Sequence, residues 1–297
     1  MRRTVLAFCF AAISLNVSAE DPAPIANRPR VAGTLLLHAR SRDAQSGLAV
    51  VQDVKWQAAE TAIIICDMWD NHYCQNAAQR VGVMAPRMNE VVTTARANGV
   101  MIIHAPSGCM DEYATTPQRL RMLQAPHVDA PFELTWCNRV ENREPEIGIK
   151  VDVSPCDDPV VGPAVKVFTK QHPKIDIIGY DGVSDSGQEI WNFCRAEGIR
   201  NIVLMGVHTN MCVLGRSFGI RQMVKLGMNV ALARDLTDCM YDPREPPQVS
   251  HARGTEIVIE HIERYWCPSI EGADLMQVVY GSAGPEITVK PRSAANN

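Results

Sequence analysis

The stretch Asn201-Ile202-Val203-Leu204-Met205-Gly206-Val207-His208-Thr209-Asn210-Met211-Cys212-Val213 changes character halfway along its length. Residues 201–206 are an apolar run stopped by glycine, the pattern of a strand buried on both faces. From Cys212 the apolar residues take helical spacing as far as Leu226, and Gly227 supplies a stop. The same alternation extends in both directions. Buried strands are expected at 61–66 (TAIIIC), 100–104, 164–169 (AVKVFT) and 229–233, with helices at 83–98, 187–197 and 247–264. Strands alternating with helices across short loops predict an α/β fold: a three-layer α-β-α sandwich on a mainly parallel, Rossmann-like sheet.

Composition agrees with a globular chain. Of 297 residues 46% are apolar and 21% charged, and 29 Lys and Arg face 33 Asp and Glu for a net charge of −4. A nucleic-acid binder usually carries a basic surplus, so no nucleic-acid partner is expected. No apolar run reaches the length of a membrane span. The N-terminus reads separately: Arg2-Arg3, an apolar run over 5–15, then Val17-Ser18-Ala19 before Glu20-Asp21. This is the layout of a signal peptide over 1–19, which implies a secreted or periplasmic protein without a membrane attachment after cleavage. Cleavage also removes Cys9 and leaves an odd set of cysteines: Cys66, Cys74, Cys109, Cys137, Cys156, Cys194, Cys212, Cys239 and Cys267. In an oxidising compartment at least one thiol then stays unpaired, and the pairing of the others is open. Beyond the leader, 20–60 reads as an arm, 61–282 as one domain and 283–297 as a flexible tail. Residues 105–163 form a Pro-, Cys- and Asp-rich excursion over one end of the sheet.

Ligands of such sheets bind outside the carboxyl ends of the strands. That edge collects Asp67, Lys170 and the segment 207–212. A thiol nucleophile needs a base for its proton, a cation that favours thiolate, and amides to hold an oxyanion. Around these residues the sequence resembles the isochorismatase-like cysteine hydrolases, the group that includes nicotinamidases and N-carbamoylsarcosine amidases. The carriers are Gly206-Val207-His208-Thr209-Asn210-Met211-Cys212-Val213, similar to the family's strand–GxxTxxCV–helix segment; Ile65-Cys66-Asp67-Met68; and the stretch 230–235 followed by Asp238-Cys239.

The resemblance implies an isochorismatase-like fold over about 61–275 and a catalytic triad of Asp67, Lys170 and Cys212. Cys212 would be the nucleophile, its pKa lowered at a helix N-terminus, and Asp67 the base. A non-proline cis bond between Val207 and His208 would aim the amides of His208 and Cys212 at the oxyanion. The stretch Phe168-Thr169-Lys170-Gln171-His172-Pro173-Lys174 departs from the family's usual polar–aromatic stretch, so Lys174 and Lys166 stay open beside Lys170. The Asp-x-His metal pattern of nicotinamidases is missing after the first strand, so neither a metal nor a cofactor is expected.

Trp69, Tyr73, His172 and Thr209 are the substrate-pocket candidates. Asp70 and His72 read as turn and rim residues, His104, His251 and His261 as structural or surface residues, and Cys66 as core. Gly215-Arg216-Ser217-Phe218-Gly219 matches the G-x-S-x-G elbow of serine hydrolases, but Ser217 falls inside the helix expected from Cys212. The function expected is hydrolysis of a small molecule at an amide or other C–N bond through a covalent Cys intermediate. The alternatives are vinyl-ether hydrolysis, as in isochorismatase itself, and a non-catalytic secreted binding protein. A homo-oligomer through an apolar edge or helix face stays open.

Overall fold

The computed structural model describes residues 31–153 and 155–280. The expected leader, the first part of the arm and the tail lie outside them. Four parallel strands form the centre: β3 (Thr61–Cys66), β4 (Met101–Ala105), β6 (Asn201–Val207) and β7 (Asn229–Asp238). They sit within a sheet of order β2-β1-β8-β7-β6-β3-β4-β5, where β1 is Thr34–Arg42, β2 Ala49–Gln57, β5 Gly182–Val183 and β8 Ser269–Ile270. A short β9 (Val278–Val279) pairs antiparallel with β1.

Alternate residues of β3 enter opposite cores. Ala62, Ile64 and Cys66 pack on the side of α4 (Gly187–Glu197), α6 (Ile220–Lys225) and α7 (His251–Tyr265). Ile63 and Ile65 pack on the side of α1 (Gln75–Ala97). Burial on both faces is why these strands read as unbroken apolar runs. The three-layer α/β reading holds. Among the described residues no helix is long and apolar enough to cross a membrane.

Four expectations are corrected. Residues 34–57, taken as arm, form the antiparallel hairpin β1–β2 that widens the sheet; Leu35, Leu37 and Ala39 point inward at every second position. Residues 164–169 make no strand. Val165 and Val167 are exposed, and the amides of Thr169 and Lys170 turn to the Asp70 carboxylate instead of a sheet neighbour. The edge strand beside β4 is β5. Helix α1 begins at Gln75 rather than 83, because the Asp158 carboxylate accepts from the first amides, Gln75 N at 2.8 Å and Asn76 N at 2.9 Å. The helix expected over 212–226 is two: α5 (Cys212–Gly215) and α6, broken where Arg216 turns extended at φ −55°, ψ 156°. Two short helices, α2 (Met110–Tyr113) and α3 (Pro117–Leu123), lie in the excursion.

Gly206 sets the distance between the two strand ends that carry the site. Its φ is +104°, and a Cβ there would lie 2.1 Å from the Cys66 carbonyl oxygen. Gly206→Ala is therefore expected to lower the urea midpoint. The backbone strain alone costs about 1–3 kcal/mol, before the clash is relieved; an unchanged midpoint would show that the two strand ends can part freely.

Candidate active site

Asp67 follows β3 in a left-handed conformation, φ 48°, and is fully buried. Its amide donates to the Ala105 carbonyl at 3.1 Å, which ties it to the end of β4. The carboxylate is held on both oxygens. Oδ1 accepts from the Ser107 amide at 2.8 Å, and Oδ2 accepts from Arg216 Nε at 2.9 Å and Nη2 at 2.8 Å. Cys212 opens α5, only 5% exposed. Between β6 and Cys212 the peptide Val207–His208 is cis, as the resemblance implies.

The thiol of Cys212 is pushed well up. Burial is the main cause, and the Asp67 charge and hydrogen-bonding contact add to it. The Arg216 charge and the His208 backbone amide act the other way, favouring thiolate. The lowered thiol pKa expected from a helix N-terminus is thus corrected: α5 is one turn long, too short for an appreciable dipole, and the sulfur is buried beside an anion. For Arg216, burial opposes its charge, but Asp67, Cys212 and Cys66 outweigh this and hold the guanidinium protonated. The resting site is a neutral thiol beside an arginine–carboxylate pair.

The lysine expectation is also corrected. Lys170 is exposed; its carbonyl accepts from Asp70 N at 2.9 Å, and among the described residues its ammonium has no hydrogen bond or ion pair. The neighbouring Gln171 points inward instead, bonded to His104 and to Tyr113. Lys166 donates to the Gly108 carbonyl at 2.6 Å, and Lys174 is exposed. The cation on Asp67 is Arg216. Its signal in the sequence is its spacing, four residues after Cys212, one helical turn along the same face.

The pocket candidates divide. Trp69 is buried, stacks on Phe168 with ring centres 4.3 Å apart, and donates Nε1 to the Ser107 carbonyl. Tyr73 is half-buried against His72 at 4.4 Å. His172 is half-buried, its amide donating to the Met68 carbonyl at 2.7 Å and its Nε2 3.7 Å from where a Cβ of Gly82 on α1 would be. Thr209 is buried, its hydroxyl 2.7 Å from that of Thr237. His72, read as rim, is buried and meets the His208 ring edge-on at 5.1 Å. Burial above all, then His72, presses His208 down to about 3, so its imidazole is neutral, and its buried Nε2 has no partner among the described residues.

Other expectations resolve simply. Asp70 is the turn residue, accepting from Thr169 N and Oγ1. His104, His251 and His261 are structural, bonded to Asp181, Asp238 and Glu144 respectively. Ser217 accepts from the Gly187 amide at 2.9 Å, where a Cβ on Gly187 would lie 2.1 Å from the Ser217 carbonyl oxygen. A hydroxyl wedged against α4 is not an exposed elbow nucleophile. The excursion covers the site: Cys137 N donates to the Gly215 carbonyl at 2.7 Å, and the Arg216 guanidinium lies 5.6 Å from the Trp136 ring centre.

A buried carboxylate and a thiol brought together at the carboxyl edge of a parallel sheet place the chain in the class of α/β cysteine hydrolases. The family model for the isochorismatase domain matches residues 61–245, and the chain belongs to the isochorismatase family. Similar solved structures include a cysteine hydrolase from Pseudomonas syringae pv. phaseolicola 1448A, 16% identical, covering 75% of this chain and 94% of that one at a TM-score of 0.46. An isochorismatase family protein from Burkholderia thailandensis is 14% identical over 73% of this chain and 96% of that one, with a TM-score of 0.43. An isochorismatase-like hydrolase from Alkaliphilus metalliredigens is 13% identical over 74% and 98%, with a TM-score of 0.42. None of the curated proteins matches the chain.

Proposed function

We propose that this chain hydrolyses an amide or related C–N bond of a small molecule through a thioester on Cys212. The observation that carries the reading is the buried Asp67 carboxylate, fixed by Arg216 and the Ser107 amide against the Cys212 thiol. As the sulfur attacks the carbonyl carbon, Asp67 takes the thiol proton. The negative charge moves from carboxylate to sulfur and on to the carbonyl oxygen, and Arg216 stays within reach of the first two. The His208 amide, which already favours negative charge at the sulfur, is placed to meet the oxyanion. Collapse breaks the C–N bond, and Asp67 returns its proton to the leaving nitrogen. Water, deprotonated by Asp67, then adds to the thioester carbonyl; the C–S bond breaks, Asp67 returns the proton to the Cys212 sulfur, and the acid is released. Residues 1–19, with Arg2-Arg3 and the small residues 17–19, support export of this enzyme.

The test is a panel of primary amides, ureido acids and vinyl ethers. One amide or ureido compound should be turned over with a Cys212-linked acyl intermediate visible by mass spectrometry. Cys212→Ala should abolish that turnover while the chain still unfolds cooperatively, its thermal midpoint lowered by no more than about 2–4 °C, the effect of roughly 1 kcal/mol. Turnover surviving in Cys212→Ala would sink the nucleophile; turnover of the vinyl ether alone would move the reaction to the isochorismatase type.

A further inference from the structure

We infer that Cys74 and Cys156 form a disulfide that fastens the excursion to the start of α1. Cys74 immediately precedes α1, and Cys156 lies in the stretch that crosses over it. Their sulfurs are within 4.8 Å of each other, and both residues are buried. The two thiols share a hydrogen-bonding contact.

The same cluster contains Asp158, and Asp157 lies beside it, so a metal site is the competing reading. The carboxylates argue against it. Asp158 places one oxygen on Gln75 N and the other on Asn76 N, capping α1 in place of Cys74, whose side chain makes no cap bond. Asp157 is held bidentate by Arg80, at 2.7 and 3.1 Å. The two thiols make only long contacts: Cys74 Sγ lies 3.4 Å from an Asp157 oxygen and 3.5 Å from an Asp158 oxygen, and Cys156 Sγ accepts from the Asp158 amide at 3.4 Å. None of these contacts is as short as the bonds that hold the two carboxylates, and sulfurs within 4.8 Å of each other are close enough to be joined in a disulfide.

The chemistry requires an oxidant, and a glutathione-type disulfide suffices. One protein thiolate attacks it and releases one small thiol; the second protein thiol then attacks the mixed disulfide and releases the other. Two protein thiols are oxidised, one external disulfide is reduced to two thiols, and the two protons of the protein thiols pass to the departing thiols.

The bond would act on the site through packing. Tyr73 and Met211 pack against the cluster of Cys74, Cys156, Ala77 and Met240, and Met211 is the residue before Cys212. In the same excursion the Asp152 amide donates to the Asn210 carbonyl at 2.9 Å. Tying residue 156 to residue 74 therefore closes the excursion over the loop that carries Cys212, while Cys212 itself remains a free thiol.

The test uses the full folded chain in buffers of rising oxidised-to-reduced glutathione ratio, quenched in acid, alkylated with N-ethylmaleimide while unfolded, and digested with trypsin without reduction. The expected product is peptide 56–80 joined to peptide 151–166, lighter than the two free peptides by two hydrogens. Fragmentation should place the link at Cys74 and show Cys66, on the same peptide, alkylated. Cys156→Ser should lose the joined peptide and make Cys74 alkylatable. The oxidised wild type should also show a higher denaturation midpoint than the reduced one, a difference absent in Cys156→Ser. Alkylation of both Cys74 and Cys156 at the most oxidising ratio overturns the proposal, as does a link from Cys66. Stoichiometric retention of added zinc that depends on both cysteines, with no joined peptide, would overturn it in favour of a metal site.

Discussion

Arg216→Ala is expected to lower turnover by about 10²–10³-fold, the usual cost of removing one fixed electrostatic partner from a reacting site. Lys170→Ala should change turnover by less than about twofold, since its exposed ammonium touches neither Asp67 nor Cys212. The asymmetry follows from where the charge goes. Arg216 places two N–H groups on one oxygen of a fully buried carboxylate, and its charge also favours the Cys212 thiolate. Without it, Asp67 keeps only the Ser107 amide and the thiol, and a buried charge stripped of its partner costs about 3–5 kcal/mol of stability. Loss of activity through unfolding is separated by Arg216→Lys, which keeps the charge and gives up the forked pair of bonds. That variant should fold, retain partial turnover, and alkylate with iodoacetamide at Cys212 more readily than Arg216→Ala at every pH. In Arg216→Ala the thiol loses the influence that favours its ionised form, so the alkylation profile should move to higher pH. A Lys170→Ala enzyme that is dead beside an active Arg216→Ala enzyme would return the role of the cation to Lys170.

Asp67 is legible because it stands where an unbroken apolar run ends, and Cys212 because it opens the helix that follows another such run; these runs are strands whose carboxyl ends meet at one edge. Arg216 belongs to the same pattern at one turn beyond Cys212, but it is hidden inside G-x-S-x-G, a string that draws attention to Ser217. Lys170 misleads for a local reason. The alternation of 164–169 looks like a strand, yet the Asp70 carboxylate captures the amides of Thr169 and Lys170, and the next residue, Gln171, takes the inward place. The hairpin β1–β2 carries a clear period of two at Leu35, Leu37 and Ala39 and at Val54 and Trp56. Its antiparallel pairing lies outside the strand–helix alternation that organises the rest, so the alternation alone does not find it. The capping of α1 by Asp158 joins residues more than 80 positions apart, and no local signal encodes it.

Glu144→Gln is expected to destabilise the chain by about 3–5 kcal/mol, the cost of breaking a buried ion pair from one side. Glu144 is fully buried, accepting from Arg221 Nε at 2.8 Å and Nη2 at 3.2 Å, from His261 Nε2 at 2.7 Å and from the Val140 amide at 2.9 Å. Arg221, equally buried, also reaches Asp152 at 2.8 Å and the Cys137 carbonyl at 2.9 Å. The cluster therefore pins both ends of the stretch 137–152 to α6 and α7, and this stretch covers Cys212. Burial alone would raise the Glu144 pKa, but the bonds from His261 and Arg221 outweigh it and hold it down to about 2 from its ordinary 4.5. A carboxylate whose folded pKa is depressed stabilises the fold above its unfolded value, and that contribution is lost as pH falls through the folded one. For Glu144 the window runs from pH 4.5 down to about 2, and the stake is roughly 3 kcal/mol at about 1.4 per unit. Wild-type urea midpoints should fall across that window, and those of Glu144→Gln should start low and fall less. Because the loosened stretch includes Cys137 and Asp152, which hold the loop and helix around Cys212, the variant should also expose Cys212 to iodoacetamide before the domain unfolds. If alkylation instead tracks global unfolding in both proteins, the cluster stabilises the domain as a whole and the covering stretch does not open by itself.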